Sequence, residues 1–462
     1  MLTLYNQEPG RTAVKCKETD YSYGELNRDA IFLRNYLALN NVKRVAIMLP
    51  KSPALYAAIW GGYLSGVTVS LINNSYPLER KKRCLNLFSP DIVISEDKID
   101  GTESIAPEDV LMQCPEYSGQ FDFKDIALVL FTSGSTGEPK GVKIRRESLE
   151  HIIRWCQDHG ELRAEDIYGQ YSDVSFDMGV CDVFYGFSTG ATLVPIDGFE
   201  KTMPAELIQK YGITYWYSVP TVLDFMIARK GITPERLGTL RTIGFGGAIL
   251  YRRHVEMLFH AVPTLHVFNT YGPTEITIFS SYVCMDKDTY GRYATDTVCL
   301  GKPVEGMTYE FVDQDGTNKE IIAISRHNFA GYIHSFSDLE CTEPIVSFPT
   351  RDIVKVENGE LFFVSRIDNM VKINGNRVEL DEIDLLIRNE YGVPAASVVH
   401  NGSIHTFVED NGRISGAKVR DFLVGRLPVY ALPRTIRLID KIPQTANQKY
   451  DRRALLEFIK DF

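Results

Sequence analysis

The stretch Thr132-Ser133-Gly134-Ser135-Thr136-Gly137-Glu138-Pro139-Lys140-Gly141 follows without interruption on the apolar run 126–131, IALVLF. A strand-like segment that opens into three glycines, four hydroxyls and a lysine is suited to holding phosphate. The glycines let the main chain bend and approach an anion closely, the hydroxyls and exposed N–H groups donate hydrogen bonds, and Lys140 adds a positive charge. It is not a Walker A loop: that pattern sets a glycine directly before the lysine, and here Glu138 and Pro139 intervene. Read alone, a Ser/Thr/Gly cluster is equally an ordinary surface turn, so its neighbours decide.

Upstream, Ser22-Tyr23-Gly24-Glu25 reads as a capping box opening a helix whose apolar positions Leu26, Ala30, Leu33 and Leu37 fall on one face. Strand-like runs at 44–49, 67–72 and 91–95 alternate with helical stretches at 53–63 and 78–87. A second alternating unit runs from about Leu149 to Val283, with apolar strands at 191–195, 214–218 and 242–245. Such alternation predicts a mostly parallel sheet covered by helices, an α/β fold. Past Gly301 the pattern turns strand-rich, and TYEFVD and EIIAIS bracket Gln314-Asp315-Gly316, a hairpin signal. The segment of about ninety residues after Asp368 is enough for a small α+β lobe.

A chain of 462 residues exceeds one ordinary core and predicts two or three packed units. Its 44% hydrophobic and 24% charged content is that of a soluble globular enzyme. No apolar run approaches the roughly 18 residues needed to cross a bilayer, and the N-terminal stretch lacks the basic-then-apolar pattern of a secretory signal; the expectation is a cytoplasmic protein with no membrane partner. A net charge of −10 argues against nucleic acid, whose phosphates need a cationic surface. The eight cysteines include no C-x-x-C pair, which argues against a zinc site and a disulfide framework and makes most of them buried small hydrophobes.

Three further stretches give the loop its meaning. Asn269-Thr270-Tyr271-Gly272-Pro273-Thr274-Glu275 lies in the second alternating unit, Arg366-Ile367-Asp368 precedes Val371-Lys372-Ile373-Asn374-Gly375-Asn376-Arg377-Val378-Glu379-Leu380, and IPQTANQKYDRRAL occupies 442–455. With the loop at 132–141, in this order, they resemble the signatures of the adenylate-forming superfamily: acyl-CoA synthetases, firefly luciferase and the adenylation domains of nonribosomal peptide synthetases. The resemblance implies a large N-terminal domain, 1–367, of two stacked α/β subdomains plus a β-barrel-like one, and a small mobile α+β lobe, 368–462, that swings about Asp368.

The same resemblance implies ATP and Mg²⁺ as cofactors. Thr132, Ser133, Gly134, Ser135, Thr136, Gly137 and Lys140 would hold the leaving phosphates, Glu275 would ligate Mg²⁺, and Thr274 would touch the α-phosphate. An oxygen ligand suits that hard ion. Tyr271 would offer a face to adenine, with Gly246, Asn269 and Thr270 in the same nucleotide site, and Asp352 would accept from the ribose hydroxyls with help from Arg366. Lys449 would be the catalytic cation inserted between carboxylate and α-phosphate, a role in which a correctly placed charge is what counts. The sequence departs from the family where Arg351, Ser365 and Gln448 stand in place of usual glycines, which puts the backbone path beside the ribose in question and stiffens the lysine loop.

Substrate class rests on Ser175-Phe176-Asp177. In amino-acid-activating members a Phe-Asp pair here carries the aspartate that binds the substrate's α-ammonium; the competing reading is an aspartate that caps a helix beginning near Met178. Carried over position by position, the pocket is walled by Asp177, Met178, Cys181, Tyr217, Gly244, Gly246, Thr270, Ile278 and Phe279. Apart from Asp177 and the incoming Lys449 none is charged, which favours an uncharged amino acid; the two glycines are expected to enlarge the floor while Met178, Tyr217 and Phe279 fill the walls. Seven residues follow Leu455, too few for a fused carrier domain, so the expected partner is a phosphopantetheinyl carrier protein in trans, in nonribosomal peptide assembly or D-alanine loading. An acyl- or aryl-CoA ligase and a non-catalytic nucleotide-binding scaffold are the alternatives; Asp177 argues against the first, and Glu275, Asp352 and Lys449 together against the second.

Overall fold

The computed structural model describes residues 1–5, 8–16, 20–99, 102–107, 116–133, 138–333, 343–444 and 450–459. The capping box forms as the sequence predicts: Glu25 N–H donates to Ser22 Oγ at 3.2 Å, and Ser22 N–H donates to Glu25 Oε2 at 2.8 Å. It opens the helix Tyr23–Leu39, on which Leu26, Ala30, Leu33 and Leu37 are buried. The next helix, Pro53–Ser65, starts behind an Ser52 cap and stops at Gly66, which takes the left-handed φ of 86°. Nearly all its side chains are buried, as expected of a helix apolar all round.

Two large sheets follow from the alternation. In one, Ser104–Ile105, Ile92–Ser95, Arg44–Met48, Thr68–Leu71 and Ile126–Thr132 lie side by side in that order, all parallel. In the other, Thr12–Val14, Thr192–Pro195, Ile167–Gln170, Tyr215–Ser218, Thr242–Phe245 and His266–Tyr271 run parallel, and the antiparallel strands Tyr21–Ser22 and Ser281–Met285 flank them. The strand-rich stretch past Gly301 forms a further sheet of Met307–Asp313, Asn318–Ser325, Ser347–Glu357 and Glu360–Arg366, its first hairpin turning at Asp315-Gly316 with Gly316 at φ 85°.

The chain divides into two compact units. The larger comprises Met1–Asn74, Phe88–Leu130 and Val142–Ser365; the smaller comprises Ser75–Leu87, Phe131–Gly141 and Arg366–Phe462. The smaller unit's core gathers Ile373, Val378, Ile383, Ile387, Val419 and Leu423 beneath a sheet of Ala395–His400, Ser403–Glu409 and Thr435–Ile439. It also contains a buried ion pair. Arg80 Nη1 donates to Glu382 Oε1 at 2.8 Å with both side chains 4% exposed, joining the helices Leu78–Phe88 and Leu380–Tyr391.

Candidate active site

In the smaller unit the phosphate-type loop leaves its strand at Thr132. Residues 134–137 of that loop, and Lys449, lie outside the described residues. Thr132 Oγ1 is buried without a hydrogen-bond partner among the described residues. Ser133 Oγ donates to the Arg377 carbonyl at 3.1 Å. Arg377 belongs to the hairpin Met370–Ile373/Asn376–Glu379, whose turn residues Asn374 and Gly375 have φ of 50° and 79°. Positive φ at both central positions is the type I′ requirement, which Asn-Gly meets. Arg366 and Asp368 form one bidentate ion pair, Nε and Nη2 on the two carboxylate oxygens at 2.7 and 2.8 Å. Burial acts to raise the Asp368 carboxyl, but Arg366 and the Met370 N–H outweigh it and hold it below the usual range.

In the larger unit the second motif supplies a buried polar cluster. Asn269, Thr270 and Tyr271 end the strand His266–Tyr271, and Thr274–Ile276 forms a single 3₁₀ turn. Tyr271 Oη donates to Asp352 Oδ2 at 2.6 Å, so the residues expected at adenine and ribose are bonded to each other. The strand bulges to achieve this: Ile353 pairs with Glu320 and Pro349 with Ile322, leaving Thr350, Arg351 and Asp352 opposite Ile321 alone. Arg351 takes the left-handed φ of 64°, so the chain follows a path natural to glycine without having one. Asn269 donates through Nδ2 to the Cys299 carbonyl, whereas its Oδ1 is buried without a partner among the described residues. Glu275 is wholly buried, and its Oε1 accepts from Tyr332 Oη at 2.7 Å. Just past it, Thr277 and Ile278 stand at φ of 59° and 77°, a conformation costly for β-branched residues and typical of functional loops.

The expected substrate residues partly converge. Cys181, Tyr217, Gly244, Thr270 and Phe279 line one cavity with Trp155, Cys156, Tyr168, Tyr185, Tyr215 and Tyr282, and the cavity is small, about 30 Å³. Asp177 is half-buried at the first residue of the helix Asp177–Thr189, one turn before Cys181. Phe176, not Asp177, is the N-cap, and Asp177 Oδ1 accepts from the Met178 N–H at 2.8 Å. Met178 and Ile278 are buried; Gly246 adjoins Thr270 and Tyr217.

The expectation that the glycines enlarge the floor is corrected. A Cβ on Gly244 would lie 2.6 Å from the Tyr217 ring, and one on Gly246 would lie 2.6 Å from Thr270 Oγ1 and 2.9 Å from Tyr217 Oη. Their missing side chains make room for Tyr217, whose hydroxyl bonds Thr270 Oγ1 at 2.7 Å. The sequence reading also omitted the outer wall. Trp155 packs edge-on against Tyr282 and Phe279, with ring centroids 4.4 and 5.5 Å away. Cys156 Sγ lies 4.0 Å from Cys181 Sγ, and that contact together with burial pushes the Cys181 thiol up, away from the reactive thiolate.

The chain belongs to the AMP-binding enzyme family, whose model matches residues 4–333. It is an adenylate-forming ligase. Among similar proteins is the D-alanine--D-alanyl carrier protein ligase of Staphylococcus aureus (strain Newman), 27% identical over 478 aligned residues that cover 98% of this chain and 96% of that protein. The structure of the Vibrio cholerae adenylation domain AlmE in complex with glycyl-adenosine-5'-phosphate superposes with a TM-score of 0.83 at 25% identity, covering 98% of this chain and 95% of that one. The o-succinylbenzoate CoA synthetase of Bacillus subtilis shares the fold, with a TM-score of 0.83 at 19% identity over 97% and 96% of the two chains. Among the described residues no helix is long and apolar enough to cross a membrane.

Proposed function

We propose that this ligase activates a small, uncharged α-amino acid as aminoacyl-AMP, expelling pyrophosphate, and then passes the aminoacyl group to the phosphopantetheine thiol of a separate carrier protein in the cytoplasm. The observation that carries the reading is the aromatic cavity one helical turn from Asp177. Its lining residues bear no charge, and its volume is small, about 30 Å³. A charged or bulky side chain would be desolvated without compensation or would clash. The relatives' names, a D-alanine ligase and a domain holding a glycyl adenylate, agree in size with this reading.

The residues present fit ATP and Mg²⁺. Asn269 Oδ1 is a buried acceptor and Thr132 Oγ1 a buried hydroxyl without partners among the described residues, and Glu275 is a buried carboxylate of the kind a hard cation takes. In the reading, Thr132, Ser133 and Lys140 meet phosphate oxygens, Thr274 meets the α-phosphate, Asp352 orients the ribose and Tyr271 fixes Asp352. Glu275 would hold Mg²⁺, which when bound would supply positive charge against the departing pyrophosphate, and Lys449 would supply its ammonium between the carboxylate and the α-phosphate. The proposed moving parts are a core of 1–367 and a lobe of 368–462, with Asp368 as hinge and the Gly375 turn presented to the thiol, although 75–87 and 131–141 cluster with the lobe in this structure.

The test is ATP–pyrophosphate exchange across the proteinogenic amino acids, D-alanine, aryl acids, fatty acids and des-amino analogues. Glycine- or alanine-sized amino acids should stimulate exchange best. Asp177→Ala should lose about 3–5 kcal/mol, the usual consequence of removing one partner of a desolvated ion pair. Equal activation of propionate and alanine would overturn the amine-binding assignment.

A further inference from the structure

Behind the loop that carries Asp177 lies a half-buried lysine with no place in the adenylation chemistry. Lys51 Nζ donates to the carbonyls of Gln170, Tyr171 and Ile196, each at 2.9 Å. An ammonium has three N–H donors, and all three are spent on main chain. Burial pushes Lys51 down to about 7, yet three carbonyl acceptors need the fully protonated amine and hold it charged. The carbonyls sit at the C-terminal ends of the neighbouring parallel strands Ile167–Gln170 and Thr192–Pro195: that of Gln170 also accepts from the Ile196 N–H at 3.1 Å, and those of Tyr171 and Ile196 lie just past the strands. Lys51 itself follows the strand Arg44–Met48 of the other large sheet, so one side chain ties the two sheets together.

The tie continues toward Asp177. Gln170 Nε2 donates to the Ser172 carbonyl at 2.5 Å and to Asp182 Oδ2 at 3.2 Å, and its Oε1 accepts from Tyr56 Oη at 3.1 Å. Asp173 then closes a tight turn: Oδ1 accepts from the Ser175 N–H and hydroxyl at 2.9 and 2.6 Å, and its carbonyl accepts from the Phe176 N–H at 3.1 Å. The first turn of the helix Asp177–Thr189 rests on this turn so closely that a Cβ on Gly179 would stand 2.1 Å from the Asp173 carbonyl oxygen. From Lys51 to Asp177 the path consists of short, directional bonds and one steric stop.

We propose that Lys51 is a positioning residue for amine recognition: by gripping the three strand-end carbonyls it sets the 171–176 loop, and through it the Asp177 carboxylate, at the substrate's ammonium. The role rests on the reading of Asp177 given above.

Lys51→Met keeps an unbranched apolar stem in place of the lysine's and removes the ammonium with its donors. Its kcat/KM in pyrophosphate exchange is measured for alanine and for propionate, with KM for ATP alongside, at a temperature where the variant is folded by circular dichroism. The expected result is a fall of about tenfold or more in the alanine-to-propionate preference, with KM for alanine raised and KM for ATP unchanged. In an Asp177→Asn background the preference is already lost, and Lys51→Met should lower it no further. Lys51→Arg keeps a cation but replaces the three-donor head with a planar fork; it should move the preference the same way by a smaller factor, and it decides the matter if the methionine variant does not fold. An unchanged preference, however far activity falls, overturns the positioning role and leaves Lys51 a structural brace. A wild-type enzyme without the preference overturns the reading of Asp177, and the role of Lys51 with it.

Discussion

Gly246→Ala tests the packing of Tyr217 and Thr270, two residues that line the cavity. The new methyl carbon would stand 2.6 Å from Thr270 Oγ1 and 2.9 Å from Tyr217 Oη, both inside the 3.0 Å that real Cβ atoms respect. Thr270 Oγ1 has little freedom to retreat, because it bonds Tyr217 Oη at 2.7 Å and donates to the Phe245 carbonyl at 3.1 Å. Displacing it sacrifices two hydrogen bonds worth about 1 kcal/mol each, and overpacking adds about 1–3 kcal/mol. A destabilisation of about 3–5 kcal/mol is therefore expected, read as a lower urea midpoint at unchanged m-value. Because Tyr217 and Thr270 line the cavity, KM for the amino acid should rise as well. Thr270→Ala gives up the same two bonds, so the double variant should fall far short of additivity. If Gly246→Ala unfolds within about 0.5 kcal/mol of the wild type, the spread reserved for innocuous surface changes, the tight Gly246–Tyr217–Thr270 packing is not what closes the floor.

Lys449→Ala should reduce pyrophosphate exchange by about two to three powers of ten while ATP binding and thermal stability barely change, since the ammonium acts on charge that develops in the transition state; an unaltered rate would reduce Lys449 to a solvated charge. Glu382→Gln leaves Arg80 charged in its 4%-exposed site and should cost about 3–5 kcal/mol, whereas Arg80→Met with Glu382→Leu together should recover most of it; calorimetry of the single and double variants decides. Asp182 is pushed up to about 7, chiefly by burial and against the hydrogen bonds from Tyr168 and Gln170. A group whose folded pKa exceeds its unfolded one stabilises at low pH and loses that contribution as pH rises through the folded value. Relative to Asp182→Asn, the wild type should lose stability between about pH 4 and 7 and then level off, as followed by urea titrations at each pH.

The fold was legible where a local rule sufficed. Periodicity and caps placed the helix from Tyr23 and the strands at 44–48 and 242–245, because burial of one face is written into spacing. The hairpin at Gln314-Asp315-Gly316 was legible for the same reason, and Asn374-Gly375, read only as part of a motif, carried an equally plain type I′ signal. Long-range facts were not legible. Trp155 and Tyr282 are far apart in sequence and meet only because helix and strand pack together, and no pattern announces which neighbour fills the space a glycine vacates. At Arg351 the doubt raised by the sequence had a definite answer: the backbone adopts φ 64° regardless, at a cost of about 1–2 kcal/mol for a residue with a Cβ, and the bulge fixes Asp352 beside Tyr271.

The Arg80–Glu382 pair bears on how such chains can be recombined. Its members are 302 residues apart, and the unit they share is assembled from three separate stretches of chain. A chimera that grafts everything after Ser365 of this chain onto a homologue carries Glu382 but keeps the host's residue at position 80. Unless the donor and host agree there, the graft carries an unneutralised acid into a dry helix contact. Crossovers with this chain should therefore be chosen as sets, with 75–87 and 131–141 exchanged along with the C-terminal stretch, and a library built on the single cut should be enriched among its folded members for hosts that bring an arginine of their own.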